Sequence, residues 1–143
     1  MAGDTGLSPE PADVRSLEEL LDVLRISDQR ELYAQRIEQG RQAGHPVAVL
    51  VRALAELPGV TGLEALRASR RVVELLTGAR WRMMRQAREE GSSWSEVGSA
   101  LGMSKQAAYD FYRRNIDRQD ATAPPGTYDA DRSRAALDLD TGH

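Results

Sequence analysis

Cysteine is absent from the 143 residues, which excludes disulfide staples, thiolate zinc sites and cysteine nucleophiles. Histidine occurs twice, at His45 and His143, too sparsely for an ordinary imidazole metal site. His45, just before Pro46, reads as a plain loop residue, and no metal or other cofactor is expected. Aromatic residues make up 5% of the chain, so the core has to be mostly aliphatic. No apolar run approaches the ~20 residues that span a bilayer. The opening MAGDTGLSPEPAD has neither the basic start nor the apolar stretch of a secretory leader. A cytoplasmic protein with no membrane partner is therefore expected. Lysine is nearly missing: of 19 basic residues only Lys105 is not arginine, a skew typical of high-GC bacterial genomes. A phosphate-cradling glycine loop, a strand-borne nucleophile and a His–carboxylate cluster at metal-ligand spacing are all missing, so no enzyme is expected.

The chain instead holds helix signals. No segment alternates with period 2, and the pattern is helical from residue 16 onward, so an all-α fold is expected. Ser16 with Glu19 makes a capping box, followed by Leu17, Leu20, Leu21 and Leu24 on one stripe. Ser27 or Asp28 can cap a second short helix carrying Leu32, Tyr33 and Ile37, with its end near Gly40 to Gly44. Pro46 suits the first turn of a third helix, whose Val47, Leu50, Val51, Leu54 and Leu57 share a face until Pro58-Gly59 stops it. Thr61 with Glu64 repeats the capping box and opens a long helix to about Glu90, in which Gly78 marks a weak point. Trp81, with Val73, Met84 and Ala87, is expected in a helix–helix core, and Glu89-Glu90 reads as a solvated helix end.

The most specific segment is Gly91 to Arg114. Ser93 with Glu96 is a third capping box, opening a short helix from Trp94 to Leu101. Gly102 then supplies a left-handed end, and Ser104 caps a helix from Lys105 to about Ile116. Two short helices joined by a three-residue, glycine-containing turn make a helix-turn-helix. Counted from Trp94, the positions that must be buried are Val97, Leu101, Met103, Ala108 and Phe111, all apolar. Gly98 falls where the two helices approach closest, and Gly102 where the turn needs backbone freedom. Lys105, Gln106, Tyr109, Asp110 and Arg113 face away from Ala108 and Phe111. Tyr112 falls off that face and is assigned no role, while Trp94 is expected to pack back on the preceding helix. An Asp110–Arg113 or Asp110–Arg114 pair on a solvated face is the plainer reading of the same residues, worth only ~0.2–0.5 kcal/mol.

On these residues the segment SWSEVGSALGMSKQAAYDFYRR resembles bacterial helix-turn-helix transcriptional regulators, of the small kind found in high-GC bacteria. The resemblance covers roughly residues 64–116 and not the N-terminal half. It implies that residues 105–116 form a recognition helix in the major groove of double-stranded DNA. The expected DNA-binding set is Ser104, Lys105, Gln106, Tyr109, Asp110, Arg113 and Arg114. Gln can pair with adenine, Lys or Arg with guanine, and Tyr with a thymine methyl or a phosphate.

Charge is distributed in keeping with that expectation. The whole chain carries −3, which argues against indiscriminate coating of nucleic acid. Residues 1–66 hold 6 Arg against 11 acids, residues 67–118 hold 11 cations against 6 acids, and residues 119–143 hold 2 Arg against 5 acids. A basic middle is thus flanked by acidic ends. Arg67, Arg70, Arg71, Arg80, Arg82, Arg85 and Arg88 precede the motif, and some of them could bind phosphate; ion pairs with an acidic N-terminal helix are the competing use. The expected organisation is a flexible stretch over 1–15, a helical dimerisation or partner-binding region over 16–60, a helix-turn-helix DNA-binding region over 61–118 and an acidic, flexible tail over 119–143 with at most a short helix near Asp131–Leu139. A homodimer formed through the N-terminal helices, regulating transcription at the nucleoid, is the leading expectation. A protein–protein adaptor for the transcription machinery, and a plasmid or phage partition or copy-control protein, are the alternatives.

Overall fold

The computed structural model describes residues 15–139. The expected flexible N-terminal stretch lies outside these residues except for Arg15, as do residues 140–143 of the expected tail. Six helices and no strand occur among the described residues: α1 (Leu17–Gln42), α2 (Ala48–Glu56), α3 (Gly62–Glu89), α4 (Trp94–Leu101), α5 (Lys105–Thr122) and α6 (Ala130–Ala135). The fold is all-α. The chain divides into two compact units, Met1–Leu75 and Leu76–His143, and α3 contributes residues to both.

In the first unit the two short helices expected over 16–44 are one helix of 26 residues. The Ser16 capping box forms as expected, with Glu19 N donating to Ser16 Oγ at 3.2 Å and Ser16 N to Glu19 Oε2 at 3.1 Å. Ser27 and Asp28 do not cap a second start. Neither residue breaks a helix as Pro does, and their propensity cost of a few tenths of a kcal/mol is outweighed by continued packing. A stripe running from the buried Leu20 through the half-buried Leu24 and Tyr33 to the buried Ile37 passes through the junction. Gln29 Nε2 also donates to Tyr33 Oη at 3.2 Å just after it. Pro46 lies ahead of the α2 N-cap, Val47, and not within its first turn. Arg30 Nη1 donates to the carbonyls of Leu57 and Pro58 at 3.4 and 3.3 Å, satisfying the end of α2. Leu20 packs with Ala68 and Val72 of α3, flanked by Leu17, Val23, Leu24 and Leu75.

The Thr61–Glu64 box opens α3, with Thr61 N donating to Glu64 Oε2 at 2.8 Å. Gly78 does not interrupt the helix, because a glycine costs only ~1 kcal/mol there. Val73, expected in the core with Trp81, is instead 59% exposed.

The second unit is centred on Trp81, Met84, Trp94, Val97, Ala108, Tyr112, Ile116 and Ala136. Tyr112, to which the sequence assigned no role, is completely buried, whereas Phe111 is only half-buried. The segment 119–139 also departs from its expected role as a flexible tail. Helix α5 runs on to Thr122, and α6 then packs back with Ser133 and Ala136 fully buried. Arg88, 3% exposed, holds this return through two carbonyls, Nε to Ala136 O at 3.0 Å and Nη2 to Leu139 O at 2.6 Å, while its Nη1 donates to Ser92 O in the α3–α4 turn at 2.8 Å. Trp94 Nε1 donates to Leu137 O at 3.1 Å, and Tyr112 Oη to Ser133 O at 2.6 Å. Ion pairs add to the surface of the joint. Arg132 forks onto Glu89 at 2.7 and 2.8 Å, and Arg134 meets Asp117 and Asp120. Glu89 is therefore a partner of α6 and not simply a solvated helix end.

Candidate nucleic-acid interface

The turn between α4 and α5 follows from four local bonds and one close approach. Ser93 caps α4 reciprocally with Glu96, at 2.7 and 3.1 Å. Gly102 ends the helix at φ 66°, in the left-handed region that a side chain disfavours. Met103 N then reaches back to Gly98 O at 2.8 Å, and Ser104 Oγ accepts from Ala107 N at 3.1 Å to start α5. Gly98 is required sterically. A Cβ there would lie 2.8 Å from Met103 O and 2.9 Å from Ser104 O, both backbone atoms.

The inner side of α5 is fixed by Ala108, Tyr112, Asn115 and Ile116, all buried. Asn115 spends its amide on Phe111 O at 2.8 Å, within its own helix. Burial pushes the pKa of the Tyr112 phenol up to about 12, against the smaller opposing effect of the nearby Arg85 charge.

The outer side presents the residues expected to meet DNA. Ser104, Lys105, Gln106, Arg113 and Arg114 are exposed, while Tyr109 and Asp110 are partly covered. Asp110 joins two of them: Gln106 Nε2 donates to its Oδ1 at 3.0 Å, and Arg113 Nη2 lies 3.8 Å from the same oxygen. Of the two intrahelical pairings open to Asp110, the one with Arg113 forms. Tyr109 stands edge-on to Trp94 with ring centroids 5.4 Å apart, so its ring is an anchor and only its outer edge is free. The Ser104 hydroxyl oxygen is engaged as the helix cap, leaving its O–H as a donor. Lys105, Arg114 and Arg118 make no ion pair among the described residues.

The arginines ahead of the motif separate into distinct uses. Arg88 is buried and unavailable to phosphate. Arg80 lies over the Phe111 ring at 5.9 Å and Arg85 over Trp81 at 5.3 Å. Arg85 also faces Glu89 at 3.8 Å. Arg70 and Arg71 pair with Glu74 in their own helix, at 3.0 and 3.4 Å, and not with an acidic N-terminal helix. The coupling of Trp94 to Tyr109 had a sequence signal, two aromatic residues on helices joined by a tight turn. The route of Arg88 had only the weaker signal of an arginine in an otherwise apolar register.

Among the described residues no group of His, Asp and Glu is arranged to hold a metal ion. No helix among them is long and apolar enough to cross a membrane. Comparison with known proteins finds no matching family model, no matching curated protein and no matching solved structure.

Proposed function

We propose that the chain is a sequence-specific DNA-binding protein, a bacterial transcriptional regulator of the helix-turn-helix kind, working at the nucleoid in the cytoplasm. The observation that carries this reading is the two-sided character of α5. Its inner residues are locked by apolar packing, while Lys105, Gln106, Arg113 and Arg114 stand exposed on a helix started by a tight glycine turn. A rigid helix with hydrogen-bonding side chains free on one side can present them to base edges. Asp110 holds Gln106 and Arg113 together before DNA arrives, and exchanges that bond for contacts to the bases. Lys105 and Arg114 supply phosphate contacts that set register.

The reading includes a homodimer through the N-terminal helices, which places two recognition helices ~34 Å apart on one face of the duplex. Leu21, Leu32, Val49 and Val51 of α1 and α2 are exposed and supply apolar surface for it. The same exposed residues favour the competing reading, a helical adaptor that binds another protein of the transcription machinery. A partition or copy-control protein would use the same DNA surface on repeated sites.

Selection from random duplex sequences tests the proposal, with sedimentation of the free protein in parallel. A two-fold symmetric motif and a dimer are expected. With about four cations per subunit neutralising phosphates, the log of the binding constant falls with log salt at a slope of ~−7. Gln106→Ala and Arg113→Ala each reduce specific binding by on the order of 10- to 100-fold. A slope near zero, or wild-type enrichment by both variants, overturns DNA reading. Partner capture that survives both variants while enrichment of DNA is undetectable supports the adaptor instead.

A further inference from the structure

The first unit holds a cluster of guanidinium groups that DNA reading by α5 leaves unused. Arg67, Arg70, Arg71 and Glu74 recur at helical spacing on one face of α3, and Arg15, immediately before the α1 cap, joins them around a cavity of about 430 Å³. Its remaining charged lining is Glu64, and it reaches the buried pair Leu20 and Ala68. Four arginines thus meet two glutamates in one concavity. Their pairing is incomplete. Glu74 accepts from both Arg70 and Arg71, at 3.0 and 3.4 Å. Arg15 and Arg67 have no ion pair among the described residues. Nε of Arg71 is buried and lacks a hydrogen-bond partner among them, an unfavourable condition unless something accepts from it.

We propose that this cavity binds a small phosphorylated metabolite of about mononucleotide size. Planar guanidinium forks match phosphoryl oxygens two bonds at a time, which suits them better to phosphate than to a single charge point. The volume falls in the lower part of the roughly 300–1,000 Å³ range of small-molecule sites. The apolar pair at its base accommodates a non-phosphate portion of the ligand. The same pair distinguishes the cavity from a duplex backbone contact, for which convex, fully solvated arginines suffice. Glu74 already behaves as an internal anion there: its bonds to Arg70 and Arg71 hold its carboxyl below the ordinary glutamate range. A phosphoryl ligand would share those two arginines with Glu74 and engage Arg67 and Arg15 in addition. The site goes beyond DNA reading and does not depend on it.

Titration calorimetry and thermal unfolding of the full chain with pyrophosphate and with adenosine monophosphate, at constant ionic strength, test the proposal. Saturable binding and a raised Tm are expected with both, and the mononucleotide binds more tightly. Arg67→Ala, an exposed and unpaired position whose loss leaves the fold intact, weakens binding by on the order of 10- to 100-fold. Glu74→Gln tightens it, which no folding defect can imitate, and Arg25→Ala on the outside of the same unit leaves it unchanged. Absence of saturable binding at millimolar ligand overturns the proposal, as does an equal shift with sodium chloride. So does loss of DNA retention in Arg67→Ala with pyrophosphate binding unaltered, since that result assigns the cluster to the DNA backbone.

Discussion

Replacing Arg88 by Met tests whether residues 136–139 are structural members of the second unit. The substitution keeps an unbranched apolar stem beside Trp94, over which the guanidinium now lies at 5.0 Å, and removes all three donors. Hydrogen bonds from a charged group contribute about 1.5–3 kcal/mol each. Only the bond to Ala136 O is wholly buried; those to Ser92 O and Leu139 O have some access to water. Counting the first in full and the other two at a fraction gives a loss of about 3–5 kcal/mol. In a unit of this size each kcal/mol moves Tm by about 4–8 °C, so a fall of at least ~12 °C is expected. Differential scanning calorimetry and near-ultraviolet circular dichroism, which reports the packing of Trp94, are the assays.

Arg88→Lys should fall between the two, because a single ammonium cannot reach three divergent carbonyls. A chain truncated after Ala135 lacks two of the acceptors, so adding Arg88→Met to it should cost much less than in the full chain. That double-mutant cycle isolates the clamp from the general effect of losing an arginine. A Tm change within ~2 °C for Arg88→Met, or full additivity with the truncation, refutes the reasoning. Residues 136–139 would then be a tail resting on the domain and not a part of it.

Two further outcomes follow from the same unit. Gly98→Ala forces a Cβ against two backbone oxygens at 2.8 and 2.9 Å, so denaturant melts should show a loss of about 1–3 kcal/mol and DNA binding should weaken as the turn shifts; a wild-type melt would mean the α4–α5 approach is looser than described. Tyr112 carries a pKa raised to about 12 from the ordinary 10. A raised folded-state value means its contribution is fully present below pH ~10 and is lost progressively as pH rises through ~12. Absorbance titration should find the Tyr112 phenol ionising only as pH rises towards ~12, together with loss of near-ultraviolet dichroism. Ionisation of Tyr112 near the ordinary tyrosine value with the fold intact would contradict its burial.

How much of this was legible in the sequence depended on the range of the interaction. Ser16, Thr61 and Ser93 each bond the amide of a glutamate three residues on, and Ser104 that of Ala107. Such bonds are written in four consecutive letters, so the starts of α1, α3, α4 and α5 were all correctly placed. Gly102 was equally visible, since its left-handed φ is a property of one residue. The supposed break at Ser27-Asp28 failed for the converse reason. A cap residue permits a helix start without requiring one, and continued packing through the partly buried Tyr33 to the buried Ile37 decided the matter.

The return of residues 123–139 was hidden because its acceptors are backbone carbonyls, at Ser133, Ala136, Leu137 and Leu139, which every residue type supplies. What identified the contact lay on the donor side, in three side chains that cannot be buried without acceptors: Arg88, Trp94 and Tyr112. A segment of acids, arginines, Ala and Leu after two prolines reads as a solvated tail, and nothing in its side chains announces that its main chain will satisfy them. Bonding the donors to main-chain oxygens places the constraint on the path of the segment and not on its side chains. Leu137 can therefore change freely in size with little effect on the Trp94 bond, while a proline that redirects the chain at Ala136 would break the Arg88 clamp. The candidate reading face has the opposite character. Lys105, Gln106 and Arg113 are exposed, the last two held mainly by the partly covered Asp110, so that side of α5 can vary in chemistry without disturbing the unit beneath it. A helix whose inner face is locked by apolar packing and whose exposed outer residues are held mainly by one another can change its ligand while keeping its fold.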